Sequence, residues 1–151
     1  MNKLALIKRV RNHTRDLSAT IFRQEDIYEY FDEAVDRIAQ VVPELQNMPY
    51  VVNNEEEPSL LPRQYHHLLA TYAVGRAFGQ DERHYQATTY MNEFEQKLDE
   101  LRQNVENGIV KILDSTGNPV VVDSGEDYVV DNYFENESEI TELPFDEIPD
   151  E

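Results

Sequence analysis

Apolar residues between Leu61 and Arg102 recur at steps of three and four positions, and this spacing constrains the fold more than any other feature of the sequence. Such spacing is typical of an α-helix with one buried face. The pattern occurs twice, first at Tyr65, Leu68, Leu69, Tyr72 and Ala73, and then at Ala87, Tyr90, Met91, Phe94, Leu98, Leu101 and Val105. The connection Gly79-Gln80-Asp81 is short and polar. We therefore expect two antiparallel neighbouring helices, with the aromatic residues Tyr72, Tyr90 and Phe94 in the core.

The same criterion predicts four helices, at residues 3–15, 24–42, 63–78 and 81–107. The second is the most regular, and Glu25 and Asp26 lie in its first turn, where acidic side chains favour the helix dipole. Arg23 occupies the position where a capping Ser or Thr is expected, so either this cap is missing or Thr20 supplies it from further back. Gly108 follows the fourth helix and suits the left-handed conformation that often ends a helix. Asn, Glu and Pro in residues 46–61 predict a surface loop.

The period of the sequence changes after Gly108. Residues 109–113 and 120–123 are rich in residues that favour β-strands, and they flank the turn signal Gly117-Asn118, which predicts a β-hairpin. Beyond Gly125, acidic residues are mixed with scattered apolar ones. The predicted fold class is mainly α, with a small four-helix bundle (1–107), then a β-hairpin (108–124) and an acidic extended C-terminal arm (125–151).

Charge is unevenly distributed along the chain, whose net charge is −18. Residues 1–23 hold six basic residues and one acid, whereas residues 105–151 hold fourteen acids and only Lys111. A chain this acidic repels nucleic acid by default. Two interpretations of the basic first helix remain open: contact with DNA phosphates, or, as we favour, contact with an acidic neighbouring subunit. The candidate contact residues are Lys8, Arg9, Arg11 and Arg15.

No residue pattern indicates catalysis, a cofactor or a metal. The chain has no cysteine and no phosphate-binding or metalloprotease motif. His66 and His67 are adjacent, so on a helix they point about 100° apart and do not easily share one ion. The acidic cluster between Asp123 and Asp131 lacks the calcium-binding loop pattern. No apolar run approaches the roughly 20 residues that span a bilayer. We therefore predict neither an enzyme nor a membrane protein.

The segment Leu-Pro-x-x-Tyr-His-x-Leu-Leu at residues 61–69 is followed by an Ala-rich helix. The next helix carries Tyr85, Ala87, Tyr90, Met91, Phe94 and Leu98. This combination resembles the head–tail connector (adaptor) proteins of tailed bacteriophages, and the resemblance covers roughly residues 3–103.

The resemblance implies a structural protein of the virion neck that is assembled in the host cytoplasm. Adaptors of this family form a ring, usually of twelve identical subunits, beneath the portal protein. The ring extends the DNA channel and docks the next neck or tail component, such as a stopper, a tail tube or a nozzle. Genomic DNA would pass through without sequence-specific binding. An acidic channel wall suits this role because it does not hold phosphates.

The acidic arm keeps nine large apolar side chains between Tyr128 and Ile148, more than a purely solvating tail needs. We expect the arm to become ordered on a partner, with Tyr133, Phe134, Leu143 and Phe145 filling pockets on it. A rival function from another class is a soluble acidic inhibitor that mimics the surface of DNA and occupies a nucleic-acid-binding enzyme. Net charge alone supports that rival, and the state of assembly would separate the two.

Overall fold

Four α-helices account for most of residues 1–122, which are the residues that the computed structural model describes. Their bounds are α1 Lys3–Thr14, α2 Gln24–Val41, α3 His67–Gln80 and α4 His84–Glu106, with short 3-10 turns at Pro43–Leu45 and Arg63–Tyr65. The prediction of a mainly helical chain is confirmed. One compact unit extends from Met1 to Val120. None of the helices in the described part is both long and apolar enough to cross a membrane.

Helix α3 lies at the centre of the unit and packs against each of the other three helices. Its buried residues are Leu68, Leu69, Ala70, Thr71, Ala73, Val74, Gly75, Ala77 and Phe78. Small side chains on this helix let its neighbours approach closely. A Cβ atom at Gly75 would lie only 2.7 Å from the Sδ atom of Met91 on α4. The position therefore excludes any larger side chain unless Met91 moves.

Helix α4 covers α3 with a narrower apolar stripe than its sequence predicts. Phe94, Leu98 and Leu101 are its buried residues. The ring of Phe94 meets Tyr72 of α3 edge to face, with 5.0 Å between the ring centroids. Tyr72 and Tyr90 are only partly buried against the core. The prediction that Phe94 lies in the core is thus confirmed. It is wrong for Tyr72 and Tyr90, which lie at the edge of the core.

Two ion pairs between helices border this core. The guanidinium of Arg37 on α2 donates to both carboxylate oxygens of Glu95 on α4, at 3.0 and 2.9 Å. The Nε atom of Arg76 on α3 donates to Glu33 on α2 at 2.8 Å. Both pairs are partly solvated, so we assign them a role in orientation more than in stability.

The predicted start of α4 near Asp81 is wrong by three residues. Helix α3 continues through Gln80, and Glu82 then takes the left-handed conformation, with φ of 59°. The N–H of Arg83 donates to the carbonyl of Phe78 at 2.9 Å, and that of Glu82 donates to Gly79 at 3.2 Å. This pair of bonds is the Schellman motif that ends helices. The left-handed residue of this motif is usually glycine. Because that residue is Glu82 here, the sequence placed the connection between the helices at Gly79-Gln80-Asp81, which is too early.

Helix α2 begins at Gln24, as predicted, whereas α3 begins four residues later than predicted. Arg23 precedes α2 without making a side-chain cap, and Thr20 does not replace it, because the hydroxyl of Thr20 pairs with that of Ser18 at 3.0 Å. Helix α3 begins at His67, because the residues after Pro62 first form the 3-10 turn.

The C-terminal end of α4 is as predicted, with Gly108 at φ of 76°. The chain then turns back, and Val110 and Ile112 join the hydrophobic core at 9% and 4% exposure. One isolated antiparallel bridge joins Leu113 to Pro119. No extended β-strand is present within residues 1–122. The predicted helical domain ends at 107, whereas the compact unit continues to Val120. The acidic arm, 125–151, lies outside the described residues.

The loop before α3 closes onto the start of α1. The N–H groups of Lys3 and Leu4 donate to the carbonyls of Glu56 and Asn54 at 2.9 and 3.0 Å. The Lys3 ammonium donates to the carbonyl of Val51 at 2.9 Å. These bonds satisfy donors that a helix start leaves unpaired. The loop is therefore not wholly at the surface, and its buried side chains include Met48, Val51 and Leu61.

Replacement of Phe94 tests the α3–α4 contact. Phe94 is fully buried, so Phe94→Ala should lower the free energy of unfolding by about 3–5 kcal/mol through lost contacts and a cavity. Tyr85 on the same helix is 83% exposed, and Tyr85→Ala should change it by less than about 0.5 kcal/mol. Urea titration measures both. Equal midpoints for the two variants would remove Phe94 from the core.

The left-handed helix ends give a second test. Glu82→Gly should raise the free energy of unfolding by about 0.5–1 kcal/mol, because glycine adopts positive φ without a clash of its Cβ. Gly108→Ala should lower it by a similar amount, because φ there is also positive. Thermal unfolding of the two variants should therefore shift in opposite directions, and shifts of the same sign would contradict the assignment.

Candidate interaction surface

The four basic residues predicted as contacts on the first helix have different environments. Lys8 and Arg15 are exposed, Arg9 is partly buried and Arg11 is buried. Within residues 1–122, Lys8, Arg9 and Arg15 have no ion-pair partner, whereas Arg11 pairs with Asp16 at 2.8 Å. The Nη1 atom of Arg11 also donates to the carbonyl of Phe22 at 3.1 Å. Arg11 is therefore occupied inside the fold, and the exposed charge of α1 comes from the other three.

Asp16 organises the loop between α1 and α2. Its carboxylate is fully buried and accepts hydrogen bonds from the backbone N–H groups of Thr20, Ile21 and Phe22, at 2.9, 3.0 and 2.9 Å. Burial by itself would raise the pKa of Asp16, but the three N–H donors and Arg11 outweigh it, so the pKa lies below its ordinary value. Nothing in the local sequence distinguishes this acid, and sequence reasoning missed it.

The backbone of this loop is strained. Arg15 and Ala19 both have φ of 60°, in the left-handed region that non-glycine residues rarely adopt. The bonds to Asp16 hold this conformation in place. Despite this order, the loop presents large apolar side chains to solvent, with Leu17 75% and Ile21 56% exposed.

A groove of about 310 Å³ runs between α1 and the loop. It is lined by Ile7, Lys8, Arg11, Asn12, Leu17 and Ala19. We call this groove, together with Arg15 and Ile21 in the same loop, the α1–loop surface. It combines exposed apolar side chains with the exposed positive charges of Lys8 and Arg15. A partner suited to it would be both apolar and anionic.

Arg9 faces a different site. With His13, Thr71, Val74, Thr89, Tyr90 and Glu93 it lines a cavity of about 230 Å³ between α1, α3 and α4. The His13 and Tyr90 rings meet edge to face there, with 6.0 Å between their centroids. Because Glu93 contributes a negative charge beside Arg9, this cavity has no strong preference for one sign of charge. The structure thus separates Arg9 from the groove that contains Lys8.

Acidic side chains dominate the exterior of α2. Glu25, Glu29, Asp32 and Asp36 recur at helical steps of three and four. Burial raises the pKa of Asp32, and the nearby carboxylates of Asp36 and Glu29 raise it further, against the effect of Lys3. With these four acidic residues, the face contrasts with the basic α1–loop surface.

The histidines do not form a metal site in the structure. Among residues 1–122, no group of three or more His, Asp or Glu side chains is placed to hold an ion. His66 is buried, and its Nε2 atom lies 2.9 Å from the carbonyl oxygen of Leu61. Burial lowers the pKa of His66, and the contact fits a neutral ring with its proton on Nε2. His66 has a structural role at the entry to α3.

The arm residues predicted as contacts, Tyr133, Phe134, Leu143 and Phe145, lie outside the described residues. Comparisons with protein-family models, with curated proteins and with solved structures gave no match to this chain. Function must therefore be argued from the residues and surfaces themselves.

Neutralisation of Asp16 tests the loop. Asp16→Asn should lower the free energy of unfolding by about 3 kcal/mol, because it leaves Arg11 as an uncompensated buried charge. Asp32→Asn is the matched control: burial already disfavours the charge there, so its loss should be neutral or slightly stabilising. Urea midpoints at pH 7 measure both, and equal loss in the two variants would contradict the role of Asp16.

The acid dependence of Asp16 follows from its lowered pKa. A carboxyl with a lower pKa in the folded state stabilises the fold above its unfolded-state pKa, and this stabilisation is lost as pH falls through the folded value. The stability of the unaltered protein should therefore fall more steeply below pH about 4 than that of Asp16→Asn. Parallel curves would show that Asp16 has an ordinary pKa.

Proposed function

We propose that this protein is a head-to-tail adaptor of a tailed bacteriophage, a structural protein of the virion neck without catalytic activity. Its support is the family resemblance in residues 61–98. The residues that carry this resemblance belong to one structural piece: the turn at Tyr65 and His66 leads into α3, and Phe94 and Leu98 of α4 pack against α3. The resemblance thus concerns the packing of the central helix pair, α3 and α4.

In this proposal identical subunits, usually twelve, pack side by side in a ring beneath the portal protein. Two surfaces of opposite charge support such packing. Lys8 and Arg15 lie on the α1–loop surface, and the acids of α2 lie on a separate face. Different patches that meet in a head-to-tail manner generate a ring when the rotation closes. The cationic surface would contact an anionic surface of the adjacent subunit or of the portal.

The ring extends the DNA channel and docks the next neck or tail component, such as a stopper, a tail tube or a nozzle. Exposed carboxylates suit a channel wall, because a positively charged wall would hold phosphates through many contacts. Genomic DNA would pass without sequence-specific binding. Assembly would take place in the host cytoplasm, and the finished ring would reside in the virion neck.

We further infer that residues 108–124 form a β-hairpin and that the acidic arm, 125–151, binds a partner. The antiparallel bridge from Leu113 to Pro119 supports the hairpin, as does the bond from the N–H of Val120 to the carbonyl of Ile112 at 2.9 Å. Ile109 and Leu113 are exposed on this segment, at 71% and 45%. A partner strand could add to its edge through backbone hydrogen bonds.

Charge reversal on α1 tests the proposal. Lys8→Glu and Arg15→Glu together should abolish ring formation on the portal and leave helicity unchanged. Arg11 is left unchanged because its pairing with Asp16 stabilises the monomer, and Arg9 because it lines a separate cavity beside Glu93. A matched control reverses two exposed cations elsewhere, Arg63 and Arg83, which should leave assembly intact. Circular dichroism measures helicity, and native mass spectrometry with and without portal measures assembly.

Two results would count against the adaptor. Normal rings from the α1 variant at low salt, where charge effects are strongest, would remove the electrostatic interface. A monomer or dimer that does not bind the portal but binds a nuclease tightly would favour the DNA-mimic inhibitor instead.

A further inference from the structure

The α1–loop surface has the properties of a preorganised binding site. Asp16 accepts four hydrogen bonds that hold the loop, and two non-glycine residues are kept in the left-handed conformation. Strain that the surrounding bonds maintain is characteristic of sites where a loop must keep one shape. Although these hydrogen bonds hold the loop in one conformation, its side chains Leu17 and Ile21 are exposed to solvent.

The chemistry of the surface specifies its ligand. Leu17, Ala19 and Ile7 offer apolar contacts along the groove, while Lys8 and Arg15 provide positive charge beside it. A purely acidic segment would leave the apolar residues of the groove exposed to water. A purely apolar segment would leave Lys8 and Arg15 without carboxylate partners. The best ligand is an extended segment in which carboxylates are interspersed with large apolar side chains.

Residues 123–151 of this chain have that composition. They contain twelve acids and no basic residue. Their large apolar residues are Tyr128, Val129, Val130, Tyr133, Phe134, Ile140, Leu143, Phe145 and Ile148. Within the chain this segment is therefore the complement of the α1–loop surface in both charge and hydrophobicity.

A second copy of the chain can supply the segment that the α1–loop surface binds. The α1–loop surface lies at the start of α2, before Gln24. Residues 108–120 pack near Glu44, just beyond the other end of α2, where Val105, Val110 and Val120 line a groove with it. An α-helix of 18 residues is about 27 Å long. The binding surface and residue 120 thus lie toward opposite ends of α2, so a head-to-tail arrangement of copies would bring the segment of one copy to the surface of the next.

We propose that the α1–loop surface binds residues 123–151 of an adjacent copy of this chain. This inference rests on the proposed ring and names the partner of its cationic surface. Carboxylates of the segment pair with Lys8 and Arg15, and its aromatic or aliphatic side chains cover Leu17 and Ile21. Each copy gives its segment to one neighbour and receives that of the other, so the contacts repeat around the ring.

The absence of cysteine from the chain provides a direct test. One full-length variant carries Leu17→Cys and another carries Phe134→Cys, and the two are mixed with oxidised glutathione. A disulfide between the two chains should form at least about tenfold faster than when Tyr85→Cys replaces Leu17→Cys, because docking raises the effective concentration of the thiols. Tyr85 is a suitable control because it is 83% exposed and lies on α4. Peptide mass spectrometry identifies the linkage.

Charge dependence is measured in the same assay. Adding Lys8→Glu and Arg15→Glu to the Leu17→Cys chain should slow the cross-link about tenfold, and 1 M salt should slow the unaltered pair as well. Equal rates for Leu17→Cys and Tyr85→Cys, or no cross-link at either position, would overturn the inference. A chain that carries both Leu17→Cys and Phe134→Cys gives a further measurement. If on dilution it forms its disulfide within one molecule faster than a chain with Tyr85→Cys and Phe134→Cys, the segment binds its own chain, and the second-copy assignment is wrong.

The outcomes separate this inference from the proposed function. Rings on the portal without a preferential Leu17 cross-link would overturn the inference and leave the adaptor intact. A preferential cross-link between copies that form no ring with the portal would overturn the adaptor and retain the surface as a self-association site.

Discussion

The burial of α3 is the constraint on which the rest of the structure depends. A helix enclosed by three others needs small side chains where its neighbours come closest, and Gly75 against Met91 shows how little room remains. Because α3 occupies the middle, α1, α2 and α4 each bury one face and expose the other. Six acidic residues lie on α2 and five on α4, all outside the buried faces of these helices. The core thus sets the shape of the subunit, and the outer faces set its electrostatic character.

A single buried carboxylate links stability to the candidate binding surface. Asp16 offsets the charge of Arg11 and at the same time fixes the loop that displays Leu17 and Ile21. A buried ion pair of this kind adds little net stability compared with apolar packing, but removing one partner is strongly destabilising. Its contribution is best understood as specificity, since it selects one loop conformation. The strained residues Arg15 and Ala19 are tolerated because these bonds determine the backbone around them.

The two ends of α2 carry different surfaces. The apolar and cationic surface lies at one end of α2, and the chain continues from the other end. A subunit with unlike ends joins to copies of itself directionally, and such contacts close into rings or continue as filaments. Within residues 1–122, no group of three or more His, Asp or Glu side chains is placed to hold a metal ion.

The sequence by itself determined the number of α-helices within residues 1–122, the apolar stripe on α2, and the end of α4 before Gly108. These features follow from local rules, because a helix buries residues at steps of three and four and glycine adopts positive φ freely. The tertiary structure alone decided which charges are available. Arg11 and Lys8 look equivalent in sequence, yet Arg11 is buried against Asp16 while Lys8 is exposed. It also decided that Glu82 ends α3 and that Val110 and Ile112 join the core. Such outcomes depend on contacts between residues distant in sequence, or on strain that packing stabilises, and periodicity contains no information about either.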